Sequence, residues 1–244
     1  MHPLRLWLMV VAIWLASVSL AAAASLDTAV ARYTATSDGQ AAYVQAVAAH
    51  FGAVDNSASK ASSGAADDDG AGRARVERLL RPLAQAAQLE PPLIVVTARD
   101  DANTYALPGL IVVHRGLLTL VTDDGELSVL LAHELGHLAL DHPVRGIRRS
   151  QRALYFTRRA ARAKTLGEGA QALVQAALHA DLGLHEERAA DAWAAALLPR
   201  AGITPATAVA LWTHLEAAGI PDDTYTHPSY AERKKLYGHA LSEP

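Results

Sequence analysis

The sequence predicts an α+β fold that is mainly α-helical, with one small β-sheet. Ala is abundant and aromatic residues make up 5% of the chain, so the core must be built from Leu, Val and Ala at helix contacts. Apolar residues recur at three- and four-residue intervals over most of the length. Two short β-branched runs, Leu93-Ile94-Val95-Val96-Thr97 and Leu110-Ile111-Val112-Val113-His114, break that pattern and read as strands. With 244 residues, 51% hydrophobic and 19% charged, the chain suits one globular domain of moderate size.

The elements follow in order. Arg5, the mostly apolar run Leu6 to Leu20 and the small residues Ala22-Ala23-Ala24 read as a secretory signal over residues 1–24, cleaved before Ser25. A retained membrane anchor is the alternative, but the run is shorter than the roughly 20 apolar residues of a spanning helix and Ser17 and Ser19 interrupt it. The expectation is export, to the periplasm if the source is bacterial. Residues 25–52 have helical spacing through Val30, Tyr33, Tyr43, Val47 and Phe51, with a break near Asp38-Gly39. Residues 53–72, with Ser62-Ser63-Gly64 and Asp67-Asp68-Asp69-Gly70, have the composition of a flexible linker. The main domain is expected over 73–240.

Within it, Val76, Leu79, Leu80 and Leu83 form one stripe of a helix from Arg75 to Leu89, stopped by Pro91-Pro92. Leu107-Pro108-Gly109 reads as a turn between the two strands. Asp123, with Glu126 three residues on, is a carboxylate capping box opening a helix that carries Leu127, Leu130, Leu131 and Leu138, bounded by Pro143. A long helical stretch runs from Gly169 to Leu198, with an interruption near Gly183, and shorter helices follow around Thr207 to Ala217.

A net charge of −3 offers no basic footprint for nucleic acid. With no Cys, disulfides are excluded and any metal site must use His, Asp and Glu. His133 and His137 lie four apart on a predicted helix, so both rings project from one face. Two such nitrogens can share one Zn²⁺. Glu134 sits about 100° round the helix, beside the metal, where a general base must stand to deprotonate water. The His-Glu-x-x-His spacing therefore predicts metal-assisted hydrolysis. A further carboxylate is offered by Glu186-Glu187-Arg188-Ala189-Ala190-Asp191. Glu187 and Asp191 share a helix face, so one can bind metal while the other orients a ligand histidine. Glu186 competes for the ligand role but has no carboxylate four residues later.

Four segments carry a resemblance. They are Asn103-Thr104-Tyr105-Ala106-Leu107-Pro108-Gly109 continuing to Arg115-Gly116-Leu117-Leu118; His133 to His137 followed by His142; Glu187-x-x-x-Asp191 with Ala190; and Thr226-His227-Pro228-Ser229 with Arg233. In order and spacing the chain resembles the HtpX and Ste-type zinc peptidases. These are minimal gluzincins that include periplasmic quality-control proteases and membrane-embedded CAAX proteases. The resemblance implies a zincin-like metallopeptidase domain with the sheet beside the metal helix. It implies one Zn²⁺ per chain, held by His133, His137 and Glu187, with Asp191 behind them. His227 and Arg233 become candidates to stabilise the oxyanion, and His227 alternatively to close the open metal position. Leu110, Ile111, Val112 and Val113 are implied to form an exposed sheet edge that binds extended polypeptide substrates, unfolded or misassembled. A latent, metal-stabilised chaperone or scaffold of the same fold is the rival reading.

Arg145, Arg148, Arg149, Arg152, Arg158, Arg159, Arg162 and Lys164 follow with no acidic residue among them. They read as a solvated helix face or as a peripheral contact with anionic lipid or acidic substrate.

Overall fold

The computed structural model describes residues 26–52, 67–221 and 227–239. The expected signal segment, 1–24, lies outside them. Helix α1 covers 26–34 and α2 covers Ser37–Phe51. Helix α3 begins at Asp67 and runs to Ala87, so it takes up the last part of the segment read as a linker; residues 53–66 lie outside the description. Strands β1 (Leu93–Thr97), β2 (Thr104–Leu107) and β3 (Leu110–His114) come next. The remaining helices are α4 (Arg115–Leu120), α5 (Asp124–Ala139), α6 (His142–Arg149), α7 (Gln151–Arg162), α8 (Leu166–Leu178), α9 (Leu184–Leu197), α10 (Pro205–Ala217) and α11 (Tyr230–His239). Among the described residues this is a mainly helical α+β fold with one three-stranded sheet.

The sheet order β1-β3-β2 corrects one expectation. Strand β3 is central: it pairs in parallel with β1, Leu93 opposite Leu110, and antiparallel with β2, Leu107 opposite Leu110. All five of its residues are buried. Leu110, Ile111, Val112 and Val113 are therefore core, not an exposed substrate edge. The physical reason is the turn at Pro108-Gly109, where Gly109 adopts φ 69° and folds β2 back along the edge that β3 would otherwise offer. Strand β2 was missed as a strand because four residues beside a Pro-Gly turn show no clear alternation.

Packing divides the described residues into two units. One joins 44–143 with 181 onward. Its core sets Leu127, Leu131 and Leu135 of α5 among Val76, Leu80 and Leu83 of α3, Ile111 and Val113 of β3, and Leu211 and Trp212 of α10. Full burial of each such aliphatic side chain contributes roughly 1.5–3 kcal/mol. Asp123 caps α5 as its sequence suggests, accepting from the Glu126 N–H at 2.9 Å. The Glu126 carboxylate does not complete the box; it takes His214 of α10 at 2.7 Å.

The other unit joins 26–43 with 144–180. Here α7 and α8 form a helical hairpin, started by Ser150 and Thr165, whose side chains accept from the N–H groups of Ala153 and Glu168. Gly169 packs directly on the Tyr33 hydroxyl, and Leu26, Ala160, Leu173 and Val174 are buried. None of these apolar residues joins the core around α5. Residues 144–180 of this unit fall within the span 73–240 expected for the main domain.

Candidate metal centre

Helix α5 buries its polar motif. His133 is 6% exposed, Glu134 6% and His137 3%, and Asp191 of the facing α9 is fully buried. Such burial is costly without partners. The helices approach closely at Gly136, where a Cβ would lie 3.0 Å from the Ala190 carbonyl oxygen. The absence of a side chain at Gly136 is what lets the α9 carboxylates reach the α5 histidines.

His133 Nε2 and His137 Nε2 are 3.1 Å apart. Glu187 places Oε2 3.2 Å from the first and Oε1 3.4 Å from the second. These three residues form the group whose ligand atoms all lie within 4.8 Å of one another. Tetrahedral Zn²⁺ at about 2.0–2.1 Å from its ligands would space them about 3.3 Å apart, so the donor set fits such an ion. Glu187 Oε2 is also buried without a hydrogen bond among the described residues, as an atom meant for a cation would be.

Glu186 has a different task. Its Oε2 accepts the Gly183 N–H at 3.1 Å and starts α9. Only Glu187 faces the histidines, which resolves the choice the sequence left open.

Asp191 ties the site together. Its Oδ1 receives His133 Nδ1 at 2.8 Å, Arg233 Nε donates to Oδ2 at 2.9 Å, and the Tyr237 hydroxyl donates to Oδ1 at 3.3 Å. Arg233 is itself buried, with its guanidinium carbon 4.4 Å from the centre of the Trp212 ring. Its Nη2 is 3.6 Å from Glu187 Oε2. His227, half exposed, brings Nε2 to 3.5 Å from the same oxygen. Tyr237 was not singled out from sequence; its position four residues after Arg233 on one helix face was the available signal.

The electrostatics follow from this crowding. Burial alone would lower the His133 pKa, but Asp191 and Glu187 overcome it and raise it to about 10. Burial opposes ionisation of Glu187 and Asp191 too, yet His133 and His137 hold Glu187 low, and His133 with Arg233 holds Asp191 low. Glu134 goes the other way: burial raises it, against the pull of His133 and His137. A negative field strong enough to hold a proton on His133 is one that a divalent cation exploits.

A cavity of about 340 Å³ opens beside Glu134 and His133. Asn103 and Thr104 line it, with Leu117, Leu130, Trp212 and Leu215 as an apolar wall and His227 and Arg233 at its polar side. His114 N–H donates to Asn103 O at 3.0 Å. Antiparallel pairs alternate, so the backbone of Asn103, Tyr105 and Leu107 faces β3 and that of Thr104 and Ala106 faces outward.

Residues 70–236 match the model of peptidase family M48. The chain belongs to this family. No curated protein matches it closely enough to count as a relative. As an M48 peptidase it is a metallopeptidase, and polypeptides are its substrates. Membership accounts for the burial of His133, His137, Glu187 and Asp191 in one place.

Proposed function

We propose that this M48 peptidase is a zinc-dependent endopeptidase that cleaves unfolded or misassembled proteins of the cell envelope. The observation that carries the reading is the convergence of His133, His137 and Glu187 with Glu134 beside them, at the head of an open cleft. His133, His137 and Glu187 would hold one Zn²⁺ per chain, which when bound would supply a Lewis acid for the scissile carbonyl and for water. Glu134 takes the proton of the attacking water and passes it to the leaving amine; its raised pKa suits both tasks. Asp191 holds His133 in the tautomer that presents Nε2. Arg233 is committed to the two α9 carboxylates and keeps them in place. His227, at the polar side of the cleft with Nε2 3.5 Å from Glu187 Oε2, is assigned the stabilisation of the substrate's carbonyl oxygen as negative charge develops on it. An extended substrate pairs with the outward edge of β2, through Thr104 and Ala106, rather than with β3. Main-chain recognition of this kind favours unfolded chains and loose sequence preference.

Residues 1–24 are proposed as the export signal that brings the protein to the periplasm. The cationic face of α6 and α7 is proposed to make a peripheral contact with anionic lipid. Eight of the chain's 22 Lys and Arg residues and none of its 25 acidic residues fall between Arg145 and Lys164.

Hydrolysis of an unfolded protein by wild type and Glu134→Gln, with zinc content measured in both, tests the reading. Loss of activity by about 10²–10⁴-fold at unchanged zinc content is expected. Equal activity in the two would sink it, and an inactive wild type that binds zinc would favour the latent scaffold.

A further inference from the structure

His137 turns Nε2 toward His133 and Glu187, so its Nδ1 must be satisfied elsewhere. The neighbour is His142, whose Nδ1 lies 3.2 Å away. The rings meet edge to face with centroids 5.1 Å apart, and His142 is 2% exposed. A tight reversal delivers it there. Helix α5 ends at Ala139, Asp141 adopts the left-handed φ of 57°, and His142 follows directly, ahead of Pro143. Left-handed backbone is uncommon outside glycine, and Asp is among the residues that tolerate it.

A cation on His137 Nε2 would fix the tautomers in this contact. A ring nitrogen that gives its lone pair to a cation leaves the proton of the neutral ring on the other nitrogen. His137 Nδ1–H is then the donor, and His142 Nδ1 the acceptor, with the His142 proton on Nε2. His133 is oriented in the same manner, but by the Asp191 carboxylate. The site therefore holds one ligand ring by a charged acceptor and the other by a neutral one.

We propose that His142 is a positioning residue: it fixes the tautomer and ring orientation of His137 and so sets the affinity of the site for its metal. The inference rests on the ligand set proposed above. Its test is zinc affinity, measured on the full chain by competition with a chromophoric chelator for wild type, His142→Phe and His142→Asn. Phe keeps a ring without an acceptor, whereas Asn can place an oxygen near the position of Nδ1. Phe is expected to weaken zinc binding about 10–100-fold, and Asn to stay within about threefold of wild type. Equal losses in both variants, or no loss in Phe, would overturn the proposal. Should the Phe variant fail to fold, long-range ¹H–¹⁵N spectra of the zinc-loaded wild type decide. An Nε2–H tautomer at His142 supports the proposal and an Nδ1–H tautomer overturns it. A wild type that takes up no zinc fails at an earlier step, and takes the ligand set down with it.

Discussion

Helix α5 sets His133 and His137 one turn apart and buries both, whereas α7 sets Arg152, Tyr155, Arg159 and Arg162 along one face and leaves all four exposed. The spacing is equally helical in each. The difference is what each stripe must do about its polarity. A buried stripe has to find partners, and α5 finds Glu187, Asp191 and His142 within hydrogen-bond distance or close to it. Every added partner removes freedom, so the histidines end in one geometry, which metal binding and proton transfer require. An exposed stripe is satisfied by water and keeps its rotamers. It can act only through its summed field, on a partner that tolerates imprecision.

The comparison breaks most visibly at Glu187. Replacing it by Ala leaves the two histidines without their third partner, and zinc measured per chain is expected to fall to near zero, with hydrolysis lost along with it. Full retention of zinc in Glu187→Ala would remove that residue from the ligand set. On α7 the corresponding change is Arg152→Glu with Arg159→Glu. Each cation near an anionic membrane surface contributes about 1 kcal/mol, so co-sedimentation with phosphatidylglycerol vesicles at low salt should weaken by tenfold or more. The same pair should leave zinc content and hydrolysis of a soluble substrate unchanged. Vesicle binding that survives both charge reversals, or persists at high salt, would count against the lipid contact.

The smallest effect tests an exposed charge at the start of the metal helix itself. Asp124 is paired with Arg75 at 2.8 Å and Arg78 at 2.7 Å, and its side chain is 44% exposed. Hydrogen bonds from Arg75 and then Arg78 lower its pKa. A lowered carboxylate pKa stabilises the fold fully above the unfolded value, about 3.9, and loses that contribution as the pH falls through the folded value. Solvent screening keeps the contribution below about 1 kcal/mol. Urea unfolding should therefore show Asp124→Asn slightly less stable than wild type near neutral pH, with the gap closing in acid. A gap that stays constant with pH would mean that the Arg75 contacts to the Val121 and Thr122 carbonyls, at 3.0 and 2.8 Å, matter instead of the charge.

Much of the site was legible in the residues because its signals are local. His133, Glu134 and His137 lie within one helical turn and a half, and the cap at Asp123 and the break at Gly183 mark where their helices begin. Glu187 and Asp191 were readable as a pair for the same reason. The strand edge was not legible. Whether β3 or β2 borders the cleft depends on strand order, and strand order is set by contacts between segments rather than by the pattern within one. The packing of 144–180 with 26–43 was hidden likewise, since an apolar face does not name the surface it will cover.

By itself, then, the sequence determined a helix-rich α+β chain, a metal-ready pair of histidines with Glu134 adjacent, and the carboxylates able to complete it. These follow from periodicity and side-chain chemistry, which act over a few residues. The tertiary structure alone decided that Glu187 and not Glu186 faces the histidines, and that β2 carries the open edge. It also decided that His142 folds back onto His137. Each is a choice between locally equivalent arrangements, and only the packing of α5 against α9, the turn at Pro108-Gly109 and the left-handed backbone of Asp141 distinguish them.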